Sequence, residues 1–181
     1  KYSKVKTKKG LVETALREFV ENHRRRDIRE LRGKISFESG YEYKLLRWVM
    51  VLIDTSVLIA VLKNARTPET KKFDEIVENG IPYGICTYVY QELLQGVRTE
   101  SQFNLLKDYL DTQKFYDFTA GRESFANAAK MFYKCQKAGI TIRKSIDLLI
   151  AQIAIENNLK LLHNDKDFSQ LMTVEKRLKS Y

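Results

Sequence analysis

The stretch that decides the fold is VMVLID, residues 49–54, five apolar residues that stop abruptly at Asp54. A continuous, β-branched-rich apolar run of this length reads as a strand buried on both faces of a parallel sheet. A βα pattern follows it. SVLIAVLKN (56–64) reads as a helix, and Thr67-Pro68 opens a second that stops at Gly80. PYGICT (82–87) is a second strand leading through Thr87 into the helix YVYQELLQGV (88–97). Helices are expected over roughly Glu100 to Thr112 and Arg122 to Ala138, the latter stopped by Gly139, with YDFT (116–119) as a short strand between them. Ser145 is placed to cap the almost wholly apolar helix IDLLIAQIAIENN (146–158), LKLLHN (159–164) is the last expected strand, and a terminal helix lies near Phe168. Strands alternating with helices give the α/β class, as a three-layer sandwich on a parallel sheet.

The first 49 residues have a different texture. Thr7 can cap a helix whose apolar residues Val12, Ala15, Leu16, Phe19 and Val20 share one stripe, continuing through Ile28 and Leu31 to Gly33. An extended, aromatic stretch follows, KISFESGYEYKLLRW (34–48), too apolar to be left in water and suited to a groove on another surface. The formal charge of +9 divides as +7 on residues 1–49 and +2 on the remainder, so the short segment suits a polyanion or an acidic pocket. Two domains are therefore expected, 1–49 and 50–181. No apolar run is long enough to span a bilayer and no signal peptide is visible, which predicts a soluble cytoplasmic protein with no membrane partner. Cys86 and Cys135 form no CxxC and read as small buried hydrophobes.

In a parallel α/β sheet, ligands gather at the carboxyl ends of the strands. The polar residues there are acidic: Asp54 ends the first strand, Asp147 sits in the first turn of the buried helix, and Asp165 and Asp167 follow KLLHN. Glu92 lies one turn into the helix after PYGICT. Carboxylates gathered so closely repel one another unless a divalent cation neutralises them. Oxygen ligands without a Cys or His cluster favour Mg²⁺ or Mn²⁺ over zinc. Such a cation lowers the pKa of a bound water and stabilises charge on a phosphate, which is nuclease chemistry. Each acid also has a plainer explanation as a helix cap, a first-turn dipole partner or a loop residue. Ser56 is placed to bond Asp54 or a metal-bound water, and His163 is given no catalytic role. GxGxxG, Walker and GxSxG motifs are absent.

MVLIDTSVLIAVLK (50–63), YVYQELLQGV, SIDLLIAQIA (145–154) and LLHNDKDF (161–168) occur in an order and spacing that resemble the PIN-domain toxins of VapBC toxin–antitoxin pairs. KTKKGLVETALREFVENHRRR and LRGKISFESGYEYKLLR resemble the later part of a VapB antitoxin, its second helix and toxin-wrapping tail. The resemblance implies an endoribonuclease of a type II system in which Asp54, Glu92, Asp147 and Asp165 bind Mg²⁺ or Mn²⁺, assisted by Ser56 and Asp167. Toxin homodimers are implied too, with transfer RNA or ribosomal RNA loops as the substrate precedents. The antitoxin-like segment is expected to inhibit the site, in its own chain or a neighbour's. A basic side chain would enter the pocket, Arg47 first, then Lys44 or Arg32, and Phe37, Tyr41, Tyr43 and Trp48 would anchor the tail. The first half of the family's ribbon-helix-helix is missing before Lys1, which argues against operator DNA binding by this chain. Alternatives are a non-catalytic module binding RNA or antitoxin, and a DNA or flap nuclease.

Overall fold

A computed structural model describes residues 50–181 and, ahead of them, Lys9, Val12, Glu13 and Leu16. Those four are helical and exposed, as the helix expected after Thr7 requires. The rest of that helix, its cap and the aromatic tail lie outside the described residues. The chain divides into two compact units, Lys1–Tyr41 and Glu42–Tyr181. The described part of the second holds the whole sheet.

VMVLID forms β1 (Val51–Ile53), every residue of it buried. The remaining strands are β2 (Tyr83–Gly84), β3 (Lys160–Leu162) and β4 (Lys179–Ser180). All pair in parallel in the order β2-β1-β3-β4, with Val51 opposite both Tyr83 and Lys160. Seven helices fill the second unit: α1 (Thr55–Leu62), α2 (Pro68–Glu78), α3 (Thr87–Gln95), α4 (Glu100–Leu110), α5 (Arg122–Lys137), α6 (Ser145–Glu156) and α7 (Lys166–Val174).

Period-2 alternation along the central strands divides the core between the two faces of the sheet. Val51, Ile53 and Leu162 pack with Val57 of α1 and Ile76 of α2. Leu52 and Leu161 face the larger cluster, with Val89 and Leu93 of α3, Met131 and Cys135 of α5, Ile150 and Ile153 of α6, and Phe168 and Leu171 of α7. The result is the expected three-layer α/β/α sandwich. Helix α6 buries seven of its twelve residues, which explains its lack of a polar face. Cys86 and Cys135 are free thiols buried in this core, and burial pushes the Cys86 thiol up to about 11. No helix among the described residues is long and apolar enough to cross a membrane.

Three expectations differ in detail. LKLLHN is not the last strand, because β4 follows it at the exposed sheet edge. YDFT is not a strand; the pairing there is a single parallel bridge between Ile85 and Phe115. Gly84 makes that approach possible, since a Cβ on it would stand 2.3 Å from the Lys114 carbonyl oxygen. Ser145 does not cap α6: it is the first helical residue, and Lys144 takes the cap position with no side-chain bond to the helix.

Candidate active site

The carboxyl ends of β1 and β3 are fastened together, because the Asp54 backbone N–H donates to the Leu162 carbonyl at 2.9 Å. Each strand leads at once into a helix capped by an aspartate. Asp54 caps α1, its Oδ2 accepting from the Ser56 N–H at 3.0 Å and the Ser56 hydroxyl at 2.5 Å. The Ser56 Oγ in turn accepts from the Asn164 N–H at 3.0 Å, so one serine ties the two strand ends together. Asp165 caps α7, its Oδ1 accepting from the Asp167 N–H at 2.9 Å. The plainer capping roles are therefore real, and each uses one carboxylate oxygen.

Asp147 lies in the first turn of α6 with 5% exposure, and its Oδ2 is buried without a hydrogen-bond partner among the described residues. Burial first, then the charges of Asp165 and Asp54, push its carboxyl up to about 7. Asp54 is raised as well, by burial above all, with the Glu92 charge adding to it against the opposing Ser56 hydrogen bonds. The bonds from Asp54 to Leu162, Asn164 to Ser56 and Thr55 to Glu92 hold the β1 and β3 ends and Glu92 together, and the charges acting among Asp54, Glu92, Asp147 and Asp165 are those of one acidic mouth. Glu92 is aimed by Thr55, whose hydroxyl donates to its Oε2 at 2.5 Å. Asp167 differs. Both its oxygens accept from Arg143, one from the backbone N–H at 3.1 Å and the other from the guanidinium at 3.3 Å. Burial would raise the Asp167 carboxyl, but the Arg143 contacts outweigh it and hold the group below the usual range.

Sequence reading singled out every acid here but missed Thr55, Asn164 and Arg143. Thr55 and Arg143 act on carboxylates 37 and 24 residues away, beyond any local spacing rule. His163 hydrogen-bonds locally, its Nδ1 3.0 Å from the Asp165 carbonyl oxygen, and its ring packs on Phe168. A concavity of about 930 Å³ lies elsewhere: Leu58, Val61, Phe73, Leu105 and Leu106 are among the residues that line it, and none of the acids does.

Among the described residues, no group of three or more His, Cys, Asp or Glu side chains is drawn together tightly enough to hold an ion as it stands. An open set of oxygen donors is unsuited to zinc, which wants four close ligands. It suits Mg²⁺, which retains several waters and takes few protein carboxylates. The partnerless Asp147 oxygen is the strongest sign of fit, since a buried lone carboxylate oxygen is costly without a counter-charge. Arg47, Lys44, Arg32, Phe37, Tyr41, Tyr43 and Trp48 lie outside the described residues.

Residues 51–172 match the PIN-domain family model, and residues 1–31 match that of VapB, the bacterial antitoxin of type II systems. The chain is 24% identical over 132 residues to a VapC ribonuclease of Mycobacterium bovis and to ribonuclease VapC11 of Mycobacterium tuberculosis. The match covers 69% of this chain and 93% of each relative, so proteins of little more than this segment's extent exist. The fold is similar to VapBC2 of Rickettsia felis, solved with a promoter DNA fragment, at a TM-score of 0.58 and 19% identity, covering 74% of this chain and 98% of that one. It is also similar to VapBC-1 of nontypeable Haemophilus influenzae, at a TM-score of 0.55 and 19% identity, covering 74% and 97%. Matched over two-thirds of its length, the chain belongs to the PIN-domain family, and its first residues are similar to VapB.

Proposed function

We propose that this chain is a metal-dependent endoribonuclease of the toxin type, cleaving RNA phosphodiesters by metal-activated water and silenced by its antitoxin-like N-terminal segment. The observation that carries the reading is the Asp147 Oδ2, buried, without a partner among the described residues, and beside acids that raise its proton affinity. Bound Mg²⁺ or Mn²⁺ would supply the water nucleophile and stabilise charge on the phosphate. Asp54, Glu92, Asp147 and Asp165 would hold it. Asp147 must first lose its proton, and a carboxyl poised at about 7 does so in the neutral range. Ser56 and Thr55 fix one oxygen each of Asp54 and Glu92, which leaves the other oxygen of each for the ion. The ribonuclease names of the relatives and the VapBC neighbours support the same reading.

Homodimerisation and a transfer or ribosomal RNA loop as substrate belong to the proposal. So do inhibition by Arg47, Lys44 or Arg32, and anchoring by Phe37, Tyr41, Tyr43 and Trp48. The apolar concavity has the chemistry such aromatic anchors need. The test is cleavage of a structured RNA mixture with Mg²⁺ or Mn²⁺ and with EDTA, comparing residues 50–181, the whole chain and an Asp54→Ala protein. Metal-dependent cutting by the short form alone, lost in the variant, is expected. Folded, metal-replete short form that cuts no RNA sinks the nuclease reading in favour of a binding module, and preference for matched DNA points to a DNA or flap nuclease.

A further inference from the structure

Asp167 and Arg143 are not accounted for by a cation seat. Asp167 is 4% exposed, and among the described residues both its oxygens already accept from Arg143. That leaves it little to offer an ion. The Arg143 side chain, by contrast, is 71% exposed and reaches Asp167 through one guanidinium nitrogen. A guanidinium carries five N–H donors in a planar fork that matches a phosphate, so most of this one faces solvent unused. Its position is specific: it is paired at 3.3 Å with Asp167, whose own N–H is bonded to the α7 cap Asp165, and the charges of Asp165 and Asp147 act on it as well, which puts it at the rim of the acidic mouth.

A nucleic-acid strand approaching that mouth meets Asp54, Glu92, Asp147 and Asp165, all of which repel phosphate. A cation at the centre offsets the repulsion at one phosphate only. A fixed positive charge at the rim offsets it at the next. Arg143 precedes α6 by two residues, and its backbone N–H and guanidinium are both pinned to Asp167 at the start of α7, which holds the charge in place better than a free side chain would.

Resting on the nuclease reading above, we propose that Arg143 contacts a backbone phosphate of the RNA beside the scissile one, and that Asp167 positions this arm instead of ligating the cation. The segment 50–181 suffices for the test, because the sheet and core lie within it and relatives of nearly that extent exist as proteins. Binding of a labelled single-stranded RNA oligonucleotide is measured with Ca²⁺ in place of Mg²⁺ across a series of salt concentrations, and Mn²⁺ affinity is measured separately. One lost phosphate contact on a single strand lowers the slope of log affinity against log salt by about 0.7. Arg143→Gln and Asp167→Asn should both show that loss, Arg143→Lys should recover the slope, and Mn²⁺ affinity should stay within about twofold of the parent in all three. An unchanged slope in Arg143→Gln, or a parent that does not bind the oligonucleotide, overturns the arm. So does loss of Mn²⁺ binding in Asp167→Asn comparable to that in Asp147→Asn. Mn²⁺ binding that ignores Asp147 instead overturns the nuclease reading, so the two failures are distinct.

Discussion

Two buried carboxylates, Glu175 at the C-terminal cap of α7 and Asp147 in the first turn of α6, show how differently one domain treats the same chemical group. Glu175, at the helix's C-terminal cap, is 3% exposed and fully engaged: Arg177 Nε donates to it at 2.7 Å and Lys134 Nζ at 2.9 Å. Those contacts, Arg177 first, bring its carboxyl down to about 2 despite burial. Asp147, on which the charge of Asp165 acts, is about as buried, keeps an oxygen with no partner among the described residues and sits at about 7. Glu175 ties α5 to the end of α7, and nothing is left over for a ligand. Asp147 Oδ2 takes no hydrogen bond from the described residues and only the charge of Lys144 opposes the acids around it, an arrangement that suits the proposed outside cation.

Removing Asp147 should have the largest effect. Asp147→Asn keeps the shape and discards the charge, and RNA cleavage should fall by about a thousandfold or more, near 4 kcal/mol of transition-state stabilisation. Cleavage assays with the folded variant check this, and activity within tenfold of the parent removes Asp147 from the site. Breaking the other carboxylate's pairing should act on stability alone. Arg177→Met leaves Glu175 with Lys134 only, and because the arginine is itself more than half exposed the cost should be about 1–2 kcal/mol in denaturant unfolding, with RNA cleavage unaltered. A smaller loss is expected of Ser56→Ala, which removes the hydroxyl bond to Asp54 Oδ2 but keeps the backbone N–H cap, and unties Asn164: cleavage should drop about tenfold while the melting temperature moves by only a few degrees.

The weakest effect, and the sharpest contrast, is in pH dependence without divalent metal. Glu175 has a folded-state pKa below its ordinary 4.5, so its contribution is complete above that value and fades as pH falls toward about 2. Asp147 is raised from 3.8 to about 7, so the folded protein binds its proton more tightly than the unfolded chain does. Stability should therefore decline as pH rises between those values. Thermal melts in EDTA should show that decline in the parent and lose it in Asp147→Asn. Melts of the two that run parallel would place Asp147 in an ordinary solvated setting.

The readable parts of this molecule were those whose physics is local. VMVLID and the α6 helix announce double-sided burial by having no polar face, and the acids at strand ends follow from the topology those strands impose. β4 went unread because Lys179–Ser180 is an exposed two-residue edge with no apolar run. Ser145 resembled a cap, yet it is already the first helical residue and the cap position falls on Lys144. Asp167 sits beside Asp165 in sequence and looks like its equal, but only the fold brings Arg143 against it and gives it a different duty.

The central claim is that the partnerless Asp147 oxygen is the seat of a divalent cation, and Mn²⁺ titration of residues 50–181 followed by electron paramagnetic resonance tests it most directly. The account predicts saturable Mn²⁺ binding that strengthens as pH rises toward about 7, as Asp147 gives up its proton, and that disappears in Asp147→Asn. Indistinguishable titrations of parent and variant would contradict it.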